Sequence, residues 1–176
     1  MLKTIGLLVA GFLVGGVAVT PPEAQGRKSP HETVKATVDG ATITIEYGRP
    51  SMRGRKIFGE LVPYGKVWRT GADEATTLTT DQDLMIGELA VPAGKYTLYT
   101  LPGENDWKLI VNKQTGQWGT AYDEKQDLGR VTLKKSASSS PVEQFTISID
   151  KGASGGGTLK LAWENTELTA PITVKK

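Results

Sequence analysis

The sequence predicts an all-β protein, a single antiparallel β-sandwich (jelly-roll-like or Ig-like) with one long decorated loop and little helix. Three observations carry this. Short runs with a period of two recur along the chain, such as Ile43, Ile45, Tyr47 and Phe145, Ile147, Ile149, the signature of half-buried strands. Turn chemistry separates the runs, as at Asp39-Gly40 and Pro92-Ala93-Gly94. No convincing amphipathic helix interrupts them. About nine or ten strands are expected from this spacing.

Residues 1–25 read as a secretory signal segment. Lys3 supplies a positive start, and Ile5 to Val19 is apolar. That run falls short of the roughly 20 apolar residues of a membrane span and fits a signal h-region. Cleavage after Ala18, cleavage after Ala24 and an uncleaved anchor all remain open. Export to the periplasm or cell exterior is the expectation, with no stable membrane span after processing. Residues 26–176 are then one β domain, long enough to bury a core.

Along that domain, Gly26 to Glu32 reads as a polar tail. Thr33 to Val38 and Ala41 to Tyr47 flank Asp39-Gly40, a type I′ hairpin signal because both turn positions need positive φ. Gly48 to Thr76 is irregular. Strands resume at Ala75 to Thr80, Leu84 to Ile86, Glu88 to Val91, Lys95 to Leu101 and Trp107 to Asn112. Lys95 to Leu101 is apolar on both faces, so it is the expected central strand. Gln114 to Gly129 is a second irregular stretch with room for one helical turn. Arg130 to Lys134 is a strand, Ser136 to Pro141 a flexible polar loop, and Lys151 to Gly157 a loose hairpin tip. Leu159, Leu161 and Trp163 form another inward face, and Ile172 to Val174 a closing strand.

Composition narrows the chemistry. The net charge of +2 is too small for the whole surface to attract nucleic acid. No cysteine is present, which removes disulfides, thiol catalysis and cysteine metal sites. His31 is the single histidine, so mechanisms needing two imidazoles are excluded. No cofactor is expected. Asp123, Glu124 and Asp127 match no EF-hand spacing and read as a solvated acidic loop, so no metal is expected either.

The segments YGRPSMRGRKIFGELVPYGKVWRTGADEATT, VPAGKYTLYTLPGENDWKLIVNK, QWGTAYDEKQDLGRV and LAWENTELTAPI resemble domain-of-unknown-function family 2911 of exported bacterial proteins. The resemblance spans about Val34 to Val174. It implies export and a single β domain, and transfers no catalytic residue. The chain departs at Asp73, where the family pattern often carries Asn. That favours Glu74 as the acidic candidate.

The candidate site is the Gly48–Thr76 loop. Six of the 21 Lys and Arg residues fall between positions 49 and 69, against one acid, Glu60. Arg49, Arg53 and Arg55 suit carboxylate, sulfate or phosphate groups, or else pin the loop internally to Glu46, Glu60 or Glu74. Trp68 and Arg69 with Glu74 fit a sugar shelf, or else a core tryptophan beside an ion pair. Asp73 and Glu74 on an extended chain point oppositely. Trp118 and Tyr122 are candidates to meet the arginine loop and complete a pocket, whereas Trp107 and Trp163 read as core. Three functions follow. The first is a module binding a small anionic or polyhydroxylated ligand, or a partner, through this loop. The second is a glycan hydrolase or lyase with Glu74 as catalytic group and Arg49 or Arg69 stabilising charge. The third is a structural or assembly role. Oligomeric state is not encoded legibly.

Overall fold

In a computed structural model, the described residues are Lys28 to Lys175. The signal segment read over residues 1–25 lies outside them. Nine strands form the fold: β1 (His31–Val38), β2 (Ala41–Gly48), β3 (Thr77–Thr80), β4 (Leu84–Ile86), β5 (Leu89–Val91), β6 (Gly94–Leu101), β7 (Trp107–Asn112), β8 (Asp127–Lys151) and β9 (Gly157–Val174). One 3₁₀ turn, Glu124–Gln126, precedes β8.

All pairings are antiparallel, in the order β1-β2-β3-β6-β7-β8-β9-β4-β5. The edge strands β1 and β5 do not pair with each other, so the sheet does not close into a barrel. It folds over because β8 belongs to two ladders. Its first part pairs with β7 (Trp107↔Leu133, Lys108↔Thr132). Its remainder pairs with β9, from Lys134↔Thr169 to Lys151↔Gly157. The second part of β8 then faces β2: the Ile147 amide donates to the Tyr47 hydroxyl across 2.9 Å. Between the two layers lie Ile43, Ile45, Leu98, Leu109, Ile147 and Leu161, all at most 2% exposed.

Most turn readings hold. Asp39 and Gly40 both take positive φ (47° and 89°), as a type I′ turn demands. Strand β6 is buried on both faces from Tyr96 to Thr100, in keeping with a position between β3 and β7. Three readings need correction. The polar run Ser136 to Pro141 is no loop but lies within β8. It carries a register shift: Ala137 pairs with Thr166 and Val142 with Glu164, leaving four residues opposite one. A bulge of this kind absorbs unpatterned residues without ending the strand. Likewise β9 runs unbroken from Gly157 through the expected closing strand, turning at Glu164 (φ 56°). Thirdly, the expected polar tail already contains His31 and Glu32 of β1.

Candidate functional site

A second register shift in β8, between Val142 and Thr146, fixes the long loop. The bulged residues offer backbone groups that β9 does not use. The Met52 amide donates to the Glu143 carbonyl at 2.8 Å, and the Phe145 amide to the Pro50 carbonyl at 2.9 Å. At its far end the loop is tied to β6 by reciprocal Trp68–Thr100 backbone bonds of 2.8 and 3.0 Å. Its middle carries an apolar plug, Ile57, Phe58 and Val62, at most 6% exposed. Phe58 meets Trp107 edge-on at 4.9 Å. The loop is therefore part of the core, and it is held by sequence-distant partners.

The four arginines divide. Arg49 is an internal pin: it donates to the Phe145 carbonyl, to Thr146 and to Glu32. Its acid partner is thus a β1 residue outside the expected set. Arg55 folds back on its own loop, donating to the carbonyls of Met52 (2.9 Å) and Ser51 (2.7 Å). Arg69 donates to the Asp73 carbonyl at 3.3 Å, in place of an ion pair with Glu74. Arg53 is anchored through its backbone amide, which donates to the Glu143 carboxylate at 2.9 Å. Its guanidinium is exposed and makes no hydrogen bond among the described residues.

Arg53, Arg55 and Arg69 border one cavity of about 470 Å³. Pro50, Leu61 and Val67 continue its loop side, while Gly119, Thr120 and Tyr122 come from the second irregular stretch. Trp68, Trp163, Tyr99 and Val62 give it an aromatic and aliphatic wall. Trp68 is packed against other rings and is also partly exposed where it lines the cavity. Its ring stacks on Trp163 at 5.7 Å and 18°, and meets Phe145 at 4.9 Å. Trp163 is only 1% exposed, so it is core, as read from the sequence, and wall at once. Arg49, Glu74 and Trp118 do not line the cavity. Trp118 pairs through its backbone with Glu74 and stays 43% exposed.

The opposite rim is one that sequence reasoning missed. Lys28 and Ser29 cross beside Asp73, and all three line the cavity. The Asp73 carboxylate accepts from the Lys28 amide (3.3 Å) and the Ser29 amide (3.2 Å). His31 Nε2 lies 3.4 Å from Asp73 Oδ2 and 3.3 Å from Glu74 Oε2. The two acids were expected to diverge, but Asp73 has left-handed φ (63°), which breaks the alternation of an extended chain and brings both to one imidazole. Asn and Asp tolerate that conformation best among residues with a Cβ. Arg53 (φ 50°) and Thr70 (φ 53°) share the left-handed region. For β-branched Thr70 this is strained by about 1–3 kcal/mol. The buried Thr76 hydroxyl holds it, donating to the Thr70 carbonyl at 2.8 Å.

Tyr122 belongs to a fixed network. Its hydroxyl donates to Asp127 at 2.8 Å and accepts from Arg130 at 3.2 Å. Burial, then the bond to Asp127, pushes its phenol up to about 12. Burial also raises Tyr99, whose ring meets Tyr122 at 4.8 Å. Both walls are therefore neutral phenols at physiological pH. Among the described residues, no group of three or more His, Asp and Glu is placed to hold a metal ion.

A family model described as "Protein of unknown function (DUF2911)" matches residues 29–172. Comparison with curated proteins and with solved structures gives no match.

Proposed function

The chain belongs to the DUF2911 family, and from that premise we propose that it is an exported β-sandwich module binding a small anionic ligand in the cavity beside the Gly48–Thr76 loop. The observation that carries the proposal is the charge around the cavity. Among the described residues, Lys28, Arg53, Arg55 and Arg69 border it against one acid, Asp73, whose carboxylate is already held by backbone amides. An anion entering there meets uncompensated positive charge beside low-dielectric walls, where such charge acts most strongly. The volume is that of a small-molecule site. Export rests on Lys3 and the apolar run Ile5 to Val19. Glu74, the acid of the hydrolase or lyase reading, does not line this cavity and faces His31.

The test is an NMR titration of the folded protein with inorganic phosphate, glucuronate and octanoate. At least one anion is expected to shift the amides of residues 51–55 and 69–73, and Arg53→Ala is expected to weaken that binding about tenfold or more, as for loss of one charge-assisted contact. Amides that stay still with all three anions sink the proposal.

A further inference from the structure

We infer that the ligand of this cavity is an amphiphilic carboxylate, an organic acid with an extended apolar body, rather than a sugar or a bare inorganic anion. The inference rests on the binding reading above and goes further by naming the ligand class. It follows from how polar and apolar groups are distributed around the cavity.

Recognition of a sugar needs an open aromatic face for the ring and several side chains that accept from hydroxyls; beside Asp73, the described lining offers three free side-chain hydroxyls for this, those of Ser29, Ser51 and Thr120. The Trp68 ring stacks on Trp163 and meets Phe145 and Phe58 edge-on, and stays partly exposed where it lines the cavity. Among the described residues the lining contains no Asn, Gln or Glu. Asp73, the one carboxylate there, already receives the Lys28 and Ser29 amides and faces His31. The Tyr122 hydroxyl is occupied by Asp127 and Arg130, and the Tyr99 hydroxyl by Gln117 and Ala121. The rest of the lining is dominated by apolar side chains and cationic donors, with the Ser29, Ser51 and Thr120 hydroxyls beside them.

The apolar side combines a buried wall with one exposed side chain. Val62, Tyr99 and Trp163 are at most 3% exposed yet reach the cavity. Leu61 also lines it and is 45% exposed. An exposed leucine over a buried apolar wall leaves surface that water covers poorly, and an alkyl or aryl body would cover it at a gain of roughly 25 cal/mol per Å². On the cationic side, the Arg53 guanidinium and the Lys28 ammonium have no partner among the described residues. Arg55 and Arg69 each keep donors beyond those their carbonyl partners occupy. A planar carboxylate matches a guanidinium fork. Inorganic phosphate would engage the same donors but leave the wall uncovered.

Calorimetric titration with acetate, butanoate, hexanoate and octanoate reads the inference directly. Affinity is expected to rise about three- to fourfold for each methylene that reaches the wall. Octanol, which lacks the charge, is expected to bind at least tenfold more weakly than octanoate. Leu61→Ser, at an exposed position, is expected to weaken octanoate and leave acetate unchanged, whereas Arg53→Ala weakens both. Circular dichroism checks that each variant is folded. If glucuronate or phosphate binds as tightly as octanoate and depends on Arg53, anion binding stands and the ligand class is wrong. If no anion binds in an Arg53-dependent way, both readings fall.

Discussion

Asp73 shows how one residue serves backbone and site together. It sits at left-handed φ, and its carboxylate accepts two amides of the N-terminal segment. Asn keeps the conformation and one accepting oxygen, whereas Ala keeps neither. Asp73→Asn is therefore expected to change stability by less than about 1 kcal/mol, and Asp73→Ala to cost about 2–3 kcal/mol, read from urea unfolding. Tyr122 gives a pH prediction of definite sign. Its folded-state value of about 12 lies above the ordinary 10, so the phenol's contribution is complete below pH 10. Above pH 10 the unfolded state releases the proton first, and stability falls until about pH 12. Tyr122→Phe is expected to flatten that part of the stability profile and to remove one late-titrating phenol from the absorbance at 295 nm. Neither behaviour was legible in the sequence. Asp73 read as half of an acidic pair, and its backbone geometry depends on contacts with residues more than 40 positions away.

At the scale of elements, legibility follows locality. The β1–β2 hairpin was readable because Asp39-Gly40 and the flanking alternation specify it within 20 residues. The long strand β8 was not, because its serine-rich middle has no periodicity and only pairing with β9 keeps it extended. The loop's arginines were visible as a cluster, but their division into pins and cavity residues was not. It depends on the β8 bulge, which presents Glu143 and Phe145 to Met52, Arg53 and Pro50. Lys28 and Ser29 were overlooked because a short polar segment carries no pattern, although the Arg27-Lys28 pair next to Ser-Pro was there to be noticed. The packing of β2 on the loop makes one position intolerant. A Cβ at Gly48 would lie 2.3 Å from the Ala72 carbonyl oxygen, a clash with backbone that rotamers cannot relieve. Gly48→Ala is expected to destabilise by about 2–4 kcal/mol and to shift the amides of Gly71, Ala72 and Asp73 in NMR spectra. By contrast, Gly54→Ala meets no neighbouring atom within 4 Å and answers only to its positive φ of 71°, at about 1 kcal/mol.

For the molecule as a whole, a single apolar cluster runs through both layers, from Val38 and Ile43 to Trp163 and Ile172, and takes in the loop residues Ile57, Phe58 and Val62. No seam divides it. Strand and tryptophan signals should therefore vanish together: far-ultraviolet circular dichroism and tryptophan fluorescence are expected to give superimposable urea transitions. A fluorescence change at lower urea would mean that the Trp68 loop opens separately. The hold on the N-terminal segment has a further consequence. Asp73 grips main-chain amides at positions 28 and 29, so what side chains stand there matters little to the grip. The Lys28 side chain is thus an interchangeable part: one substitution there changes the charge at the mouth of the cavity while the β scaffold stays as it is.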